Sequence, residues 1–125
     1  MKYEELTEKV IEWANDKGIF EKSTPIKQLA KTQEELDETL VALKRLRSIH
    51  LERENSQQTL LPFNAEEEEV NALFEAKDGI GDMLVTIIIL AEMLGFDTVE
   101  CLEAAYNVIK NRTGKMVNGL FVKDQ

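Results

Sequence analysis

The chain has 125 residues and a formal net charge of −9 at pH 7. This length suits a single domain over residues 1–125, and a hydrophobic content of 43% is enough for a modest core. The acidic balance argues against a nucleic-acid polymer or an anionic membrane as partner, because clustered Lys and Arg bind both.

No targeting or spanning segment is predicted. The opening MKYEELTEKVIEW lacks the apolar stretch of a secretory signal. The most apolar run, residues 83–94, contains a Glu and is too short to cross a bilayer. A single cysteine, Cys101, excludes an internal disulfide framework. We therefore expect a cytoplasmic protein in which Cys101 is a small core residue.

The first half of the chain predicts two helices. One runs from about Tyr3 to Lys17 and stops at Gly18. The next begins with Thr24 as N-cap and Pro25 at the first helical position, and it continues to about residue 53. One apolar stripe along it consists of Leu29, Leu36, Leu40 and Leu43.

The second half predicts a loop, two helices and a hairpin. Residues 54–69 are polar and contain a proline, which is typical of a loop. The third helix covers about 67–94 and ends at Gly95. The fourth begins at Asp97, with Glu100 three positions on, and reaches about residue 112. Asn118-Gly119 between short apolar runs indicates a hairpin. The run VTIIIL favours a strand by composition, but it has no partner strands and the helical pattern continues through it. An all-α, four-helix bundle-like fold follows.

The second helix carries an acidic cluster in the stretch KTQEELDETL. Glu34, Glu35 and Glu38 lie three or four positions apart and so share a helix face. Their spacing alone favours a solvated face, because they lie roughly opposite the leucine stripe. A functional interpretation needs a second observation.

The third helix supplies that observation. Asp78 and Asp82 are four positions apart, and the same face continues with Val85 and Ile89. The opposite face is apolar as well, so we expect this helix to be buried on both sides and the two aspartates to face an interior or an interface. Buried carboxylates need a compensating charge, and a divalent cation would supply it. Oxygen ligands suit Mg²⁺, and Mn²⁺ can substitute for it. The sequence contains no Cys/His cluster of the kind that binds zinc.

At these residues the chain resembles the MazG-like, all-α nucleoside triphosphate pyrophosphohydrolases. Their first motif, E-E-x-x-E, is matched by Glu34, Glu35 and Glu38. Their second, E-x-x-D before an apolar helix, is matched by DGIGDMLVTIIILAEMLGFD with its aspartate at Asp82. The segment CLEAAYNVIKNRTGKM is similar to their closing helix. The resemblance covers about residues 13–122, but the motif's usual Glu is replaced by Gly79.

The resemblance implies a MazG-type bundle, a homodimer or homotetramer, and the reaction NTP + H₂O → NMP + pyrophosphate. On these positions we expect Mg²⁺ to be held by Glu35, Glu38 and Asp82, with Asp78 assisting in place of the missing Glu and Glu75 as a further candidate. Glu34 sits beside these ligands without an evident partner, so we expect it to orient or deprotonate the water. Phosphate contacts are expected from Lys110, Asn111, Arg112 and Lys31.

Alternatives remain open at three points. The basic residues near position 110 also suit the end of a helix, where they favour its dipole. Trp13 could stack on a base, but a lone Trp on an amphipathic helix is more often core or interface. The chain could also be a non-catalytic helical scaffold that keeps the fold, or a relative specific for dUTP or phosphoribosyl-ATP.

Overall fold

A computed structural model describes residues 1–55 and 65–125 of the chain. It is mostly helical, which confirms the all-α class, with one small two-stranded sheet. The elements are α1 (Tyr3–Asp16), α2 (Ile19–Lys22), α3 (Pro25–Asn55), α4 (Ala65–Met93), α5 (Thr98–Ile109), β1 (Gly114–Val117) and β2 (Leu120–Lys123).

Local signals mark where the helices begin and end. The Thr24 hydroxyl accepts a hydrogen bond from the Lys27 backbone N–H at 3.3 Å, and the Asp97 carboxylate accepts one from Val99 at 2.7 Å. Gly95 is left-handed, with φ 78°, and the Phe96 N–H reaches back to the carbonyl of residue 91 at 2.8 Å. This is a Schellman ending, and it fixes the exit from α4.

Two predictions needed revision and one lies outside the described residues. Helix α2 was not predicted, because four residues are too few to show a helical period. The predicted loop, residues 54–69, was too long at both ends, because α3 continues to Asn55 and α4 starts at Ala65. Its middle, residues 56–64, lies outside the described part. The hairpin is confirmed: β1 and β2 are antiparallel, and Asn118 and Gly119 both have positive φ, as in a type I′ turn.

Helices α3 and α4 form the centre of the molecule. They are antiparallel, because contacts join Gln28 to Thr86 near one end and Arg45 to Glu75 near the other. Small side chains fill the contact, which lets the two backbones approach closely. The buried ones include Thr39, Ala42, Ala72, Ala76 and Gly79.

The remaining elements lie around this pair. Helix α1 packs on α4, and α5 has a smaller contact with the same helix. The chain turns by 98° between α4 and α5. Within residues 1–55 and 65–125, no single helix is both long and apolar enough to span a membrane.

Much apolar surface stays uncovered in the single chain. The predicted stripe on α3 is exposed, with Leu36 at 45% and Leu40 at 43%. On α4, Ile80, Leu84 and Ile87 are exposed too, so the expectation that this helix is buried on both sides is not met within one chain. Cys101 was also misplaced in the core, because it is exposed on α5.

Candidate functional site

One pocket is lined by an acidic residue from each of α3 and α4. Glu35 and Asp82 both line it, together with Trp13 from α1 and Lys31 from α3. Its volume is about 450 Å³. It lies where α1, α3 and α4 converge, and Val85 and Ile89 give it an apolar floor. A charged rim over an apolar pocket suits a ligand with one ionic end and one flat or apolar end.

Glu35 is the most constrained carboxylate of this cluster. Its side chain is only 12% exposed. Burial raises the pKa of this carboxyl above its ordinary value, and the nearby negative charges of Glu38 and Asp82 raise it further. Ionisation of Glu35 is therefore disfavoured first by its burial and then by negative charge from both helices. A cation placed among these carboxylates would relieve their repulsion.

Lys31 partly offsets the acidic charge. Its ammonium lies 3.2 Å from a carboxylate oxygen of Glu34 and 3.6 Å from one of Glu35. The hydrogen bond with Glu34, and then the charge of that group, raise the pKa of Lys31. Glu34 therefore has a partner, although its proposed role in orienting water was based on its having none. Both Lys31 and Glu34 are about half exposed, so the pair can open at little cost.

The two aspartates of α4 are less enclosed than expected. Asp78 and Asp82 are both exposed in the single chain, and only Asp82 lines the pocket. Gly79, which replaces the motif's usual Glu, faces α3 instead. A Cβ atom at this position would lie 2.0 Å from the Thr39 hydroxyl oxygen. A larger residue at 79 therefore requires the Thr39 side chain, or α3 with it, to move.

The donor set suits a hard cation, but the side chains are not arranged around one. In the described part of the chain, no group of three or more His, Cys, Asp or Glu side chains converges as a ready set of metal ligands. The raised pKa of Glu35 nevertheless places Glu38 and Asp82 within its electrostatic reach. All three donors are carboxylates, which matches the preference of Mg²⁺ and Mn²⁺. Glu38 and Asp82 are both exposed, so their side chains can change rotamer freely.

The basic residues predicted at the phosphates do not line this pocket. Lys110, Asn111 and Arg112 follow α5 and are all exposed. Helix α5 turns by 98° from α4, and none of the three residues is part of the wall that Glu35 and Asp82 share.

Sequence reasoning placed Gln28 on a face adjoining the acids, as a possible phosphate or base contact, but it missed Thr86. Both residues line the pocket and are buried, and the Gln28 amide donates to the Thr86 carbonyl at 3.2 Å. The Thr32 hydroxyl donates to the Thr86 hydroxyl at 2.8 Å. Nothing in the residue pattern distinguishes these polar side chains from surface ones. Trp13, which is 49% exposed, was noted as a possible base contact, and its place in the pocket wall fits that possibility.

Comparison of the chain with family models, with characterised proteins and with solved structures gave no match.

Proposed function

We propose that this chain hydrolyses nucleoside triphosphates or deoxynucleoside triphosphates to the monophosphate and pyrophosphate, with Mg²⁺ held by Glu35, Glu38 and Asp82. One observation carries the proposal: the nearly enclosed Glu35 of α3 and Asp82 of α4 line one pocket together with Trp13 and Lys31. The resemblance of EELDE and DGIGD to the MazG-like motifs supports it.

The pocket suits the two ends of such a substrate. A triphosphate brings several negative charges to a rim that is itself acidic, and a bound divalent cation would neutralise both and activate water near the phosphoryl group. Trp13 offers a flat surface on which a base can stack. Asp78, one turn before Asp82 and exposed, is available to a bound ion directly or through water.

Lys31 and Glu34 would act together. When a triphosphate arrives, the Lys31 ammonium can turn from the carboxylates to a phosphate oxygen, since the ammonium is a mobile point charge. Glu34 is then free to accept a proton from the attacking water. Breaking the bond between the α- and β-phosphates releases pyrophosphate, whose charge needs further cations. Lys110, Asn111 and Arg112 are the candidates for that role.

The four-helix bundle and the homo-oligomer belong to the same proposal. At about 100° per residue, Leu36 and Leu40 on α3 and Ile80 and Leu84 on α4 lie on one flank of the antiparallel pair. Glu38 and Asp82 lie on the other flank. We call the first flank the apolar face. Pairing two such faces would bury them and give a four-helix centre built from two copies.

The test is pyrophosphate release from a panel of NTPs and dNTPs with Mg²⁺ or Mn²⁺. The parent chain is compared with Glu38→Gln and Asp82→Asn, and we expect each variant to lose at least about a hundredfold in rate. Asp37→Asn is the matched control. It removes the same charge from α3, but Asp37 points away from the pocket and only accepts a hydrogen bond from Gln33.

Mn²⁺ binding, followed by calorimetry without nucleotide, separates the possible outcomes. Binding that is lost in Glu38→Gln and Asp82→Asn but kept in Asp37→Asn would support the ion site even if the nucleotide panel misses the substrate. Release from dUTP alone or from phosphoribosyl-ATP alone would narrow the substrate. Absence of both metal binding and turnover would contradict the proposal.

A non-catalytic scaffold is the second candidate, and one observation favours it. Gly79 cannot be exchanged for a carboxylate without moving Thr39, so the site has one ligand fewer than the motif it resembles. A scaffold predicts that Glu38→Gln and Asp82→Asn leave the oligomer intact, raise its stability and change no turnover.

A further inference from the structure

Gln28 of α3 is a buried polar side chain in the wall of the pocket that Glu35 and Asp82 share. It is only 5% exposed. Its amide nitrogen donates to the Thr86 backbone carbonyl of α4 at 3.2 Å. A carbonyl can only accept a hydrogen bond, so the nitrogen of the amide, and not its oxygen, must face Thr86. The contact with α4 therefore fixes which way round this amide lies.

The amide oxygen of Gln28 is the group that this arrangement leaves for the pocket. Within residues 1–55 and 65–125, no side chain and no backbone N–H donates to it. Over the same ranges, no fully buried side-chain nitrogen or oxygen lacks a hydrogen-bond partner. The oxygen therefore keeps an accessible side, and the pocket is the space that Gln28 lines. A ligand that enters without a donor would cover this oxygen and leave it unpaired.

The hydroxyl groups beside Gln28 do not give the ligand a donor. Thr32 donates to the Thr86 hydroxyl at 2.8 Å, and the Thr86 hydroxyl donates to the Met83 carbonyl at 2.7 Å. Both hydroxyl protons are thus used within the pair of helices. The two lysines that line the pocket are exposed, so their ammonium groups belong to its rim. The wall around Gln28 therefore presents an acceptor, to which a ligand must bring the proton.

This acceptor distinguishes the two ends of a nucleotide. The oxygens of an ionised phosphate only accept hydrogen bonds, so a phosphate would leave the Gln28 oxygen unpaired and is better placed at the Lys31 ammonium. The natural bases carry N–H groups on their edges, either amino groups or ring N–H groups. Trp13 lines the same pocket and offers a flat face for stacking. A planar ring with an N–H on its edge satisfies both residues.

We infer that Gln28 recognises the base of a bound nucleotide: its amide oxygen accepts a hydrogen bond from an N–H on the edge of the base, while Trp13 covers the face of the ring. The need for an N–H donor stands on the burial and bonding of Gln28. That the donor belongs to a nucleotide rests on the function proposed above. Neither a metal ion nor the acidic cluster takes part in this recognition, so it can be tested without turnover.

Titration of the full chain with nucleosides, which lack phosphate, tests the base site in the absence of metal ions. Adenosine and guanosine are compared with purine riboside, and cytidine and uridine with 2-pyrimidinone riboside, because these analogues have the same ring systems without an N–H donor. NMR follows the side-chain amide of Gln28 and the indole N–H of Trp13, the only tryptophan in the chain. At least one natural nucleoside should bind about tenfold more tightly than its analogue, which leaves the buried oxygen unpaired.

A substitution then assigns this preference to Gln28. Gln28→Met keeps the length of the side chain but removes the amide, so the preference for the nucleoside over its analogue should fall to about twofold or less. Gln33→Met is the matched control, because Gln33 is exposed on the same helix and donates to Asp37. It should keep the full preference. Circular dichroism checks that each variant is folded, and the comparison of ligands on the parent chain stands even if Gln28→Met is not.

Equal binding of every nucleoside and its analogue by the parent chain would overturn the inference, and so would the absence of any nucleoside binding. A preference that persists in folded Gln28→Met would overturn it as well. A preference that is lost in Gln28→Met, without pyrophosphate release from any triphosphate, would keep the base site and reject the proposed reaction. Conversely, turnover whose preference among bases is the same in the parent and in Gln28→Met would keep the reaction and reject this role of Gln28.

Discussion

At the scale of single residues, Glu35 shows how one environment sets the chemistry of a side chain. Its neighbours Glu34 and Glu38 are both exposed, whereas Glu35 points toward α4 and is held beside Asp82. Burial, first of all, raises the pKa of this carboxyl. Three glutamates that look alike in the sequence therefore differ in how far the fold buries them.

The raised pKa predicts how the stability of a Glu35 variant depends on pH. A carboxyl with a higher pKa in the folded chain holds its proton more tightly there, so the free energy of unfolding falls as pH rises from the ordinary Glu pKa through the raised one. We expect Glu35→Gln to be more stable than the parent at pH 7 without divalent ions. The gain should be a few tenths of a kcal/mol, the size of one like-charge pair on a helix.

Urea denaturation at several pH values measures this difference. It should shrink as pH falls and vanish below about pH 4, where the parent's carboxyl is protonated in both states. Asp37→Asn serves as the control on the same helix. A gain for Glu35→Gln that persists unchanged at low pH would show that repulsion among the carboxylates is not its cause.

Gly79 and Gly81 offer a matched pair of substitutions two positions apart. An added methyl at 79 meets Thr39, with its hydroxyl oxygen at 2.0 Å, whereas one at 81 meets nothing within 4 Å. Gly79→Ala should lower the free energy of unfolding by about 1–3 kcal/mol through overpacking. Gly81→Ala should raise it by about 0.5–1 kcal/mol, because Ala loses less backbone entropy in a helix.

Thermal or urea unfolding of both variants checks the prediction. Thr39→Ala removes the closest atom, so it should recover part of the loss in Gly79→Ala. Equal stability of the two alanine variants would mean that α3 and α4 separate easily at this crossing. This crossing could not be predicted from the sequence, because nothing in the sequence tells which residue of α3 lies against Gly79.

At the scale of elements, the ends of helices were predictable because their signals are local. Thr24 with Pro25, Gly95 and the pair Asn118-Gly119 each act within a few residues, and each is found where expected. The buried face of α3 was not predictable. It uses Gln28, Thr39 and Ala42 against α4, while the conspicuous leucines face away. Small and polar side chains carry no strong hydrophobic period.

The Thr86 side chain of α4 makes a polar contact with α3. Its hydroxyl accepts from Thr32 at 2.8 Å and donates to the Met83 carbonyl at 2.7 Å. Thr86→Val keeps the shape but loses both bonds, so we expect a loss of about 1–3 kcal/mol in the free energy of unfolding. Thr86→Ser keeps the hydroxyl, and it is the control that separates hydrogen bonding from packing. A larger loss in the serine variant would assign the effect to the missing methyl group.

At the scale of the whole molecule, the exposed leucines and isoleucines are the main unexplained feature of a single chain. The sequence showed the stripes on both long helices, but it could not show that the chain leaves both uncovered on one flank. That outcome depends on how α3 and α4 rotate against each other, and their small-residue contact sets this rotation. The candidate site on these helices was only partly predictable. The residue spacing identified the carboxylates, but it could not show that Lys110 lies outside their pocket.

Charged substitutions on the apolar face should dissociate the proposed pair. Leu84→Glu is expected to weaken self-association by at least a hundredfold, because burying an unpaired charge in an interface costs several kcal/mol. Val41→Glu, on the other flank of α3, should have little effect. Sedimentation velocity over a range of protein concentrations measures both. Unchanged association in Leu84→Glu, with the fold intact by circular dichroism, would place the contact elsewhere.

The Schellman turn at Gly95 acts beyond the end of one helix. Its backbone hydrogen bonds fix the direction in which α5 leaves α4, and with it the position of the exposed apolar side chains that follow. A chain in which α5 has no fixed direction would present those side chains to several neighbours in turn, and contacts of that kind build open assemblies instead of closed ones. A substitution that loosens this turn should therefore release the chain into polymers, visible as turbidity that grows with protein concentration.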